Sequence, residues 1–253
     1  MSEPITMDGT GWQDSWDRQQ QTYMPDREHR FTTMLDVVEA VTATDHPAIL
    51  DLAGGTGSIS LRALQRLPRA TTTLVDVDPV LLAIARASLD ERTDIVTADL
   101  RHEAWTAALP RRDYDAVLTA TALHWINGDR LRELYREVHG VIRPGGVFIN
   151  ADHMSDPGLP NFSQRVEDWE RERREAEYAS DPALSWEGWW QRLAGDPALA
   201  PLIEQRRHVF NSWHADDFTP THDWHLEALR AAGFGEVGLI WRGLSDAAVV
   251  AVR

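Results

Sequence analysis

The 253-residue sequence contains no cysteine and no lysine. Without cysteine there is no disulfide, no thiolate metal site and no cysteine nucleophile. Without lysine there is no catalytic amine and no Schiff-base chemistry. Every one of the 25 basic residues is arginine, set against 40 acidic residues for a formal net charge of −15. Nucleic-acid binders gain affinity by neutralising phosphates with basic side chains, so this balance argues against such a partner. No apolar run approaches the roughly 18 residues that a membrane helix requires. The opening stretch MSEPITMDGTGW has neither the basic nor the apolar part of a secretory leader. A cytoplasmic protein with a small-molecule partner, as a monomer or homodimer and without a membrane partner, is the expectation. A hydrophobic content of 43% over this length supports one full α/β domain plus an accessory element.

Residues 45–150 alternate short apolar runs with amphipathic stretches. Ala48 to Leu52, Thr72 to Asp76, Ile95 to Asp99, Tyr114 to Thr119 and Gly146 to Asn150 read as strands. Ser58 to Leu67, Pro79 to Leu89 and Arg130 to Val141 place apolar residues at helical spacing, with Leu131, Leu134, Tyr135, Val138 and Ile142 on one face. Such alternation implies a parallel sheet covered on both sides. His222 to Ala232 reads as a helix with Leu226, Leu229 and Ala232 inward and Gly233 as its cap. Two strands follow, joined by a turn at Gly243, and so short a connection forces them antiparallel. The expected fold is a doubly wound α/β core with a seven-stranded, mostly parallel sheet whose last strand is antiparallel. The core takes residues 45–150 and 221–253. Residues 1–44 form an N-terminal helical flap with Phe31, Leu35, Val38 and Val41 on one face, and residues 151–220 a helical lid insertion.

Three features at consecutive strand ends carry chemistry. Asp51-Leu52-Ala53-Gly54-Gly55-Thr56-Gly57 runs from a strand through a glycine-rich turn into a helix. Glycines permit a tight turn and close approach of a ligand, and the helix start favours an anionic group. Asp76, 21 positions after Gly55, ends the next strand and can accept both hydroxyls of a ribose. Asp78 before Pro79 is the better helix cap, which leaves Asp76 free. Asp99, followed by Leu100, ends the third strand, where an acid can accept from an adenine amino group. Open α/β sheets bind ligands at these carboxyl ends.

ILDLAGGTG, LVDVDP, IVTADL, YDAVLTATALHWI and RPGGVFI, with the closing AGF turn, resemble the successive signatures of class I S-adenosylmethionine-dependent methyltransferases. The resemblance is to the ubiquinone-biosynthesis-like, type 11 branch, and covers 45–150 and 221–253. It implies that Asp51, Ala53, Gly54, Gly55 and Gly57 lie along the methionine part and that Asp76 binds the ribose. It also implies that Val77 packs on the adenine, that Asp99 and Leu100 hold it, and that Thr119 and Ala120 line the methionine side. Two rivals share the strand, turn and acid: a nicotinamide-dependent oxidoreductase and a non-catalytic nucleoside-binding module. The third position of the dinucleotide fingerprint is Ser60 here, and the adenine acid and reversed last strand argue against the oxidoreductase.

The remaining candidates concern the flap and the acceptor. Trp12, Trp16 and Tyr23 suggest a flap that closes on the cofactor, with Tyr23 against it and Arg27 or Arg30 pairing the methionine carboxylate; Arg30 is taken as the binding residue. His124, after the fourth strand, and His153, after the fifth, are candidate general bases for a hydroxyl or amine acceptor. Trp125, Trp186, Trp189 and Trp190 are candidate walls of a chamber for a hydrophobic, ring-containing acceptor methylated at O or N, and Trp169, Trp213 and Trp224 also lie outside the core. His208, His214, His222 and His225 show no spacing on one helix face with a carboxylate partner, so no metal is expected.

Overall fold

The structure is a computed structural model that describes residues 7–156, 158–211 and 219–253. The apolar runs become strands β1 (Ala48–Leu52), β2 (Thr71–Asp76), β3 (Thr93–Thr97), β4 (Tyr114–Ala120) and β5 (Ile142–His153). Between them run α3 (Ser58–Arg66), α4 (Pro79–Ser88) and α5 (Gly128–Val141). The chain opens with α1 (Gly9–Tyr23) and α2 (Arg27–Val41), and closes with α9 (His222–Ala231), β6 (Glu236–Arg242) and β7 (Asp246–Val252). The seven strands form one sheet in the order β3-β2-β1-β4-β5-β7-β6. β7 runs antiparallel to both neighbours, as the short Gly243 turn demands. That reversed pairing sets Asp246 opposite His153.

Both faces of the sheet are covered, which is why its central strands are continuously apolar. α5 and α9 pack on one face through Leu131, Leu134, Tyr135, Val138, Ala228 and Leu229. α2 and α3 pack on the other through Phe31, Met34, Leu35, Val38, Ile59 and Ala63. Helical spacing placed Val41 on the inward face, but it is the last residue of α2 and is exposed. Met34 takes the fully buried position. In α9 the side chains of His225 and Ala228 are buried, while Leu226 and Ala232 are only partly covered. Asp78 caps α4, its carboxylate accepting the Val80 and Leu81 N–H groups, and Pro79 stands where a missing N–H costs nothing.

The stretch from 151 begins as sheet, because β5 runs on through Asp152 and His153. It then supplies α6 (Pro160–Ser180), α7 (Trp186–Ala194) and α8 (Ala200–Phe210). α7 docks on α1 and α4 through a third apolar cluster of Trp12, Leu81, Ile84, Trp189, Leu193 and Leu199. α1 and α7 therefore meet beside α4. The starts of α1 and α7 are fixed by short polar side chains: Asp8 accepts from Gly11, and Ser185 from Gly188.

Candidate active site

A chamber of about 680 Å³ opens above the carboxyl ends of β1, β2 and β4. Its floor is the turn after β1. A Cβ at Gly54 would lie 2.7 Å from Asp51 Cγ and 2.8 Å from Leu74 Cγ, so only glycine fits. Gly55 adopts φ +57°, in the left-handed region open to glycine. Ala53 and Thr121, which also line the chamber, hold φ of +55° and +49°. Such conformations are strained for residues with a Cβ and gather at binding sites. Gly57 lies outside the lining; its φ of +86° starts α3, and a Cβ there would strike Leu89.

Four acids surround this floor. Asp51 is fully buried; one carboxylate oxygen accepts from Ser60 N and Oγ at 2.9 and 2.7 Å. Its other oxygen, Oδ1, is buried without a partner. Burial pushes the Asp51 carboxyl up to about 6. Asp76 accepts three backbone N–H groups, from Gly55, Val77 and Asp78, at 2.7–2.8 Å. Burial raises it too, to about 6. A carboxylate offers about four acceptor positions, so Asp76 keeps one for a further donor. Asp78, besides its cap, accepts from Arg206 Nε at 2.6 Å. Asp99 also lines the chamber, but Arg101 folds back on it with Nε 2.9 Å from both oxygens. Burial opposes the Asp99 charge, and Arg101 outweighs it and holds the carboxyl below its usual range. Val77, Leu100 and Ala120 line the chamber, while Thr119, fully buried in β4, does not.

The opposite end is built on the turn after β4. His124 and Trp125 lie in the short 3₁₀ turn Leu123–Trp125, and both line the chamber. His124 is held at two points by Asp152, whose oxygens meet its backbone N at 3.1 Å and its Nδ1 at 2.7 Å. Asp152 is buried on β5; burial opposes its charge, but His124 and then His153 outweigh that and hold it down to about 2. His153 does not line the chamber. Its Nδ1 meets Asp246 at 2.6 Å, and its ring lies edge to face with Tyr23 at 5.7 Å. Burial disfavours the His153 cation, yet Asp246 and Asp152 prevail and raise its pKa. The two imidazole rings stand 5.1 Å apart.

The flap and lid contribute differently from the sequence expectation. Tyr23 does line the chamber. Arg30 does not: it is buried, pairs with Asp246 and stacks over Trp241, so it is held away from any cofactor carboxylate. Arg27 is the arginine at the chamber wall, paired with Asp17 at 2.7 Å. Trp186 lines the chamber, half-exposed. Trp189 instead is 1% exposed and is core, packed between Trp12 and Trp16 with its Nε1 on Ser15. Trp190 lies under the Arg206 guanidinium, 3.9 Å from its ring centre. Sequence reasoning missed Asp152, Tyr178, Arg206 and Phe210, and all but Asp152 line the chamber. His225 is bound to the Tyr135 hydroxyl at 2.6 Å, and burial pushes it down to about 4. Trp213 and His214 lie outside the described residues.

The family described as a methyltransferase domain matches residues 49–146. A ubiquinone/menaquinone biosynthesis C-methyltransferase of Methylobacterium nodulans is 32% identical over 114 residues, 44% of this chain and 44% of that protein. A trans-aconitate 2-methyltransferase of Azoarcus sp. is 29% identical over 216 residues, 84% of this chain and 70% of that protein. Human N-acetylserotonin methyltransferase, solved with S-adenosylmethionine, superimposes with a TM-score of 0.54 at 17% identity, over 94% of this chain and 56% of that one. This last likeness is one of fold. The match to the first relative spans less than half of that protein. The sheet order is that of the class I, Rossmann-like methyltransferase fold, and residues 49–146 match the methyltransferase domain. S-adenosylmethionine is the cofactor of that class, and the chamber fits it: Asp51 leaves a buried oxygen for an ammonium, and Asp76 an acceptor for a ribose hydroxyl. No helix among the described residues is long and apolar enough to cross a membrane.

Proposed function

We propose that the chain transfers the methyl group of S-adenosylmethionine to oxygen or nitrogen of a small, hydrophobic, ring-containing acceptor. The carrying observation is the division of the chamber into two ends. Asp51, Gly54, Gly55 and Asp76 form a polar, glycine-lined end suited to the cofactor, and His124 with Trp125 stands at the other. Trp16, Tyr23, Tyr178, Trp186 and Phe210 add an aromatic wall for the acceptor. The volume of about 680 Å³ is that of a pocket for small organic ligands. The net charge of −15 supports a small molecule over a nucleic acid.

The cofactor supplies an electrophilic methyl group. Held by Asp51, Gly54, Gly55 and Asp76, it would give that methyl to an acceptor lone pair and leave as the thioether with the carbon–sulfur electron pair. The acceptor then sheds one proton at the His124–Asp152 end. Holding the partners in line at about 3 Å removes on the order of 7–11 kcal/mol of the barrier. Asp152 fixes the His124 ring in place, and the lid and flap aromatics keep water from the methyl. Calorimetry with S-adenosylhomocysteine tests the cofactor end, and transfer of ¹³C-methyl to a panel of phenols, amines and activated carbon acids tests the acceptor. Binding of NAD but not of S-adenosylhomocysteine sinks the whole reading. A product whose methyl shift is that of a carbon-bound group sinks the assignment to O or N.

A further inference from the structure

Three of the polar side chains behind the acceptor end stand closer than proton handling requires. One donor atom each from His124, Asp152 and His153 lies within 4.8 Å of the others. They come from the turn after β4 and from the last two residues of β5, so the sheet itself holds them together. His153 commits Nδ1 to Asp246, which leaves Nε2 as its ligand nitrogen, and that atom is buried with no hydrogen-bond partner. An imidazole whose one nitrogen rests on a carboxylate and whose other is unpaired has the arrangement seen around bound metal ions. Asp246 is in turn fixed by Arg30, so it serves as the outer partner and not as a ligand. Two imidazoles and one carboxylate suit a borderline divalent ion such as Zn²⁺ and leave coordination positions open.

We propose that His124, Asp152 and His153 form a binding site for a divalent transition-metal ion at the acceptor end of the chamber. Donors about 2.1 Å from a tetrahedral ion lie roughly 3.4 Å apart. Binding therefore draws His153 in and parts His124 Nδ1 from the Asp152 oxygen it now meets at 2.7 Å, shifts of about an ångström or less that side-chain rotation can supply. The ion takes the lone pairs of the two imidazoles and the Asp152 carboxylate, and any proton on those ligand atoms passes to solvent. On the methyltransferase reading above, an acceptor hydroxyl takes an open position on the ion and loses its proton to water more readily there. The site itself does not depend on that reading.

The test is calorimetric titration of the EDTA-stripped chain with Zn²⁺, with and without S-adenosylhomocysteine. The expected result is one saturable site, weakened at least tenfold in both His153→Gln and Asp152→Asn, and unchanged in His208→Gln on exposed α8. Asp246→Asn, which keeps all three ligands and changes the partner behind His153, is expected to weaken binding about tenfold. Substitution with Co²⁺ should give the visible absorption of a four- or five-coordinate nitrogen–oxygen site. Circular dichroism and retained S-adenosylhomocysteine affinity show that the variants fold. Absence of saturable Zn²⁺ binding, or binding undiminished in His153→Gln, overturns the proposal. Failure of S-adenosylhomocysteine to bind refutes the methyltransferase reading and leaves the cation result to stand by itself.

Discussion

Replacing Asp51 by asparagine separates what the buried acid costs the fold from what it gives the ligand. The carboxyl is fully buried at the end of β1, and burial raises it from 3.8 to about 6. Above that pH the folded protein carries a charge that the unfolded chain hydrates better. A raised carboxyl therefore destabilises the fold, with no effect well below 3.8 and the full effect above 6. At 1.36 kcal/mol per pH unit the full effect is roughly 3 kcal/mol, of which about half is already present at pH 5. Asparagine never ionises. Its Oδ1 can accept from Ser60 N and Oγ, and its amide nitrogen then occupies the place of the unpartnered oxygen.

The stability difference between Asp51→Asn and the parent should thus grow in the variant's favour by about 1.5 kcal/mol between pH 5 and pH 8. For a chain of this size that is roughly 3–6 °C in Tm. Urea unfolding at both pH values measures it. The same variant should bind S-adenosylhomocysteine 10- to 100-fold more weakly, since a charge-assisted hydrogen bond contributes about 1.5–3 kcal/mol. A gap that stays constant with pH would refute the raised, buried carboxyl. Unchanged affinity would show that the orphan oxygen never meets the cofactor.

Other outcomes follow from the same geometry. Arg30→Gln should lower stability by about 3–5 kcal/mol, because it leaves Asp246 short of its buried cation, and should alter S-adenosylhomocysteine affinity less than threefold; a large affinity loss would restore Arg30 to the cofactor site. Trp189→Ala should cost about 3–5 kcal/mol in urea unfolding, whereas Trp186→Ala, half-exposed at the chamber wall, should cost under 1 and act on acceptor KM. Ala53→Gly should stabilise by up to about 1 kcal/mol by relieving the positive φ. Arg206→Leu should speed S-adenosylhomocysteine release several-fold in stopped flow, since it frees α8 from Asp78 beside the ribose end of the chamber.

The sheet was legible because its signals are local. An apolar run followed by glycine or aspartate marks a buried strand and its functional end, and the Gly243 turn alone dictates that β7 runs backwards. The glycine-rich turn, Asp76 and Asp99 were readable for the same reason: each stands at or just past the end of its own strand. Asp152 was not, although it follows the same rule. Its strand was read as ending at Asn150, and Asp152 shows only as the second residue of a supposed lid. What gives it meaning is His124, 28 residues earlier, brought to 2.7 Å by the pairing of β4 with β5.

The arginines and tryptophans show a different limit. Arg27 and Arg30 are three residues apart on one helix, and periodicity places both on much the same face. Which one reaches the chamber depends on where the acids lie: Asp17 on α1 takes Arg27, and Asp246 on β7 takes Arg30. In α7, Trp186, Trp189 and Trp190 occupy neighbouring positions of one helical face, so composition cannot rank them. The side nearest Trp12 and Trp16 becomes core, and the ring one turn earlier is left to face the chamber. The proposed cofactor residues are set by a strand and its own turn, whereas the proposed acceptor residues are set by how separate helices dock. The proposed acceptor wall is therefore the part of this chain that sequence patterns leave open, and the part that the Trp186→Ala variant addresses.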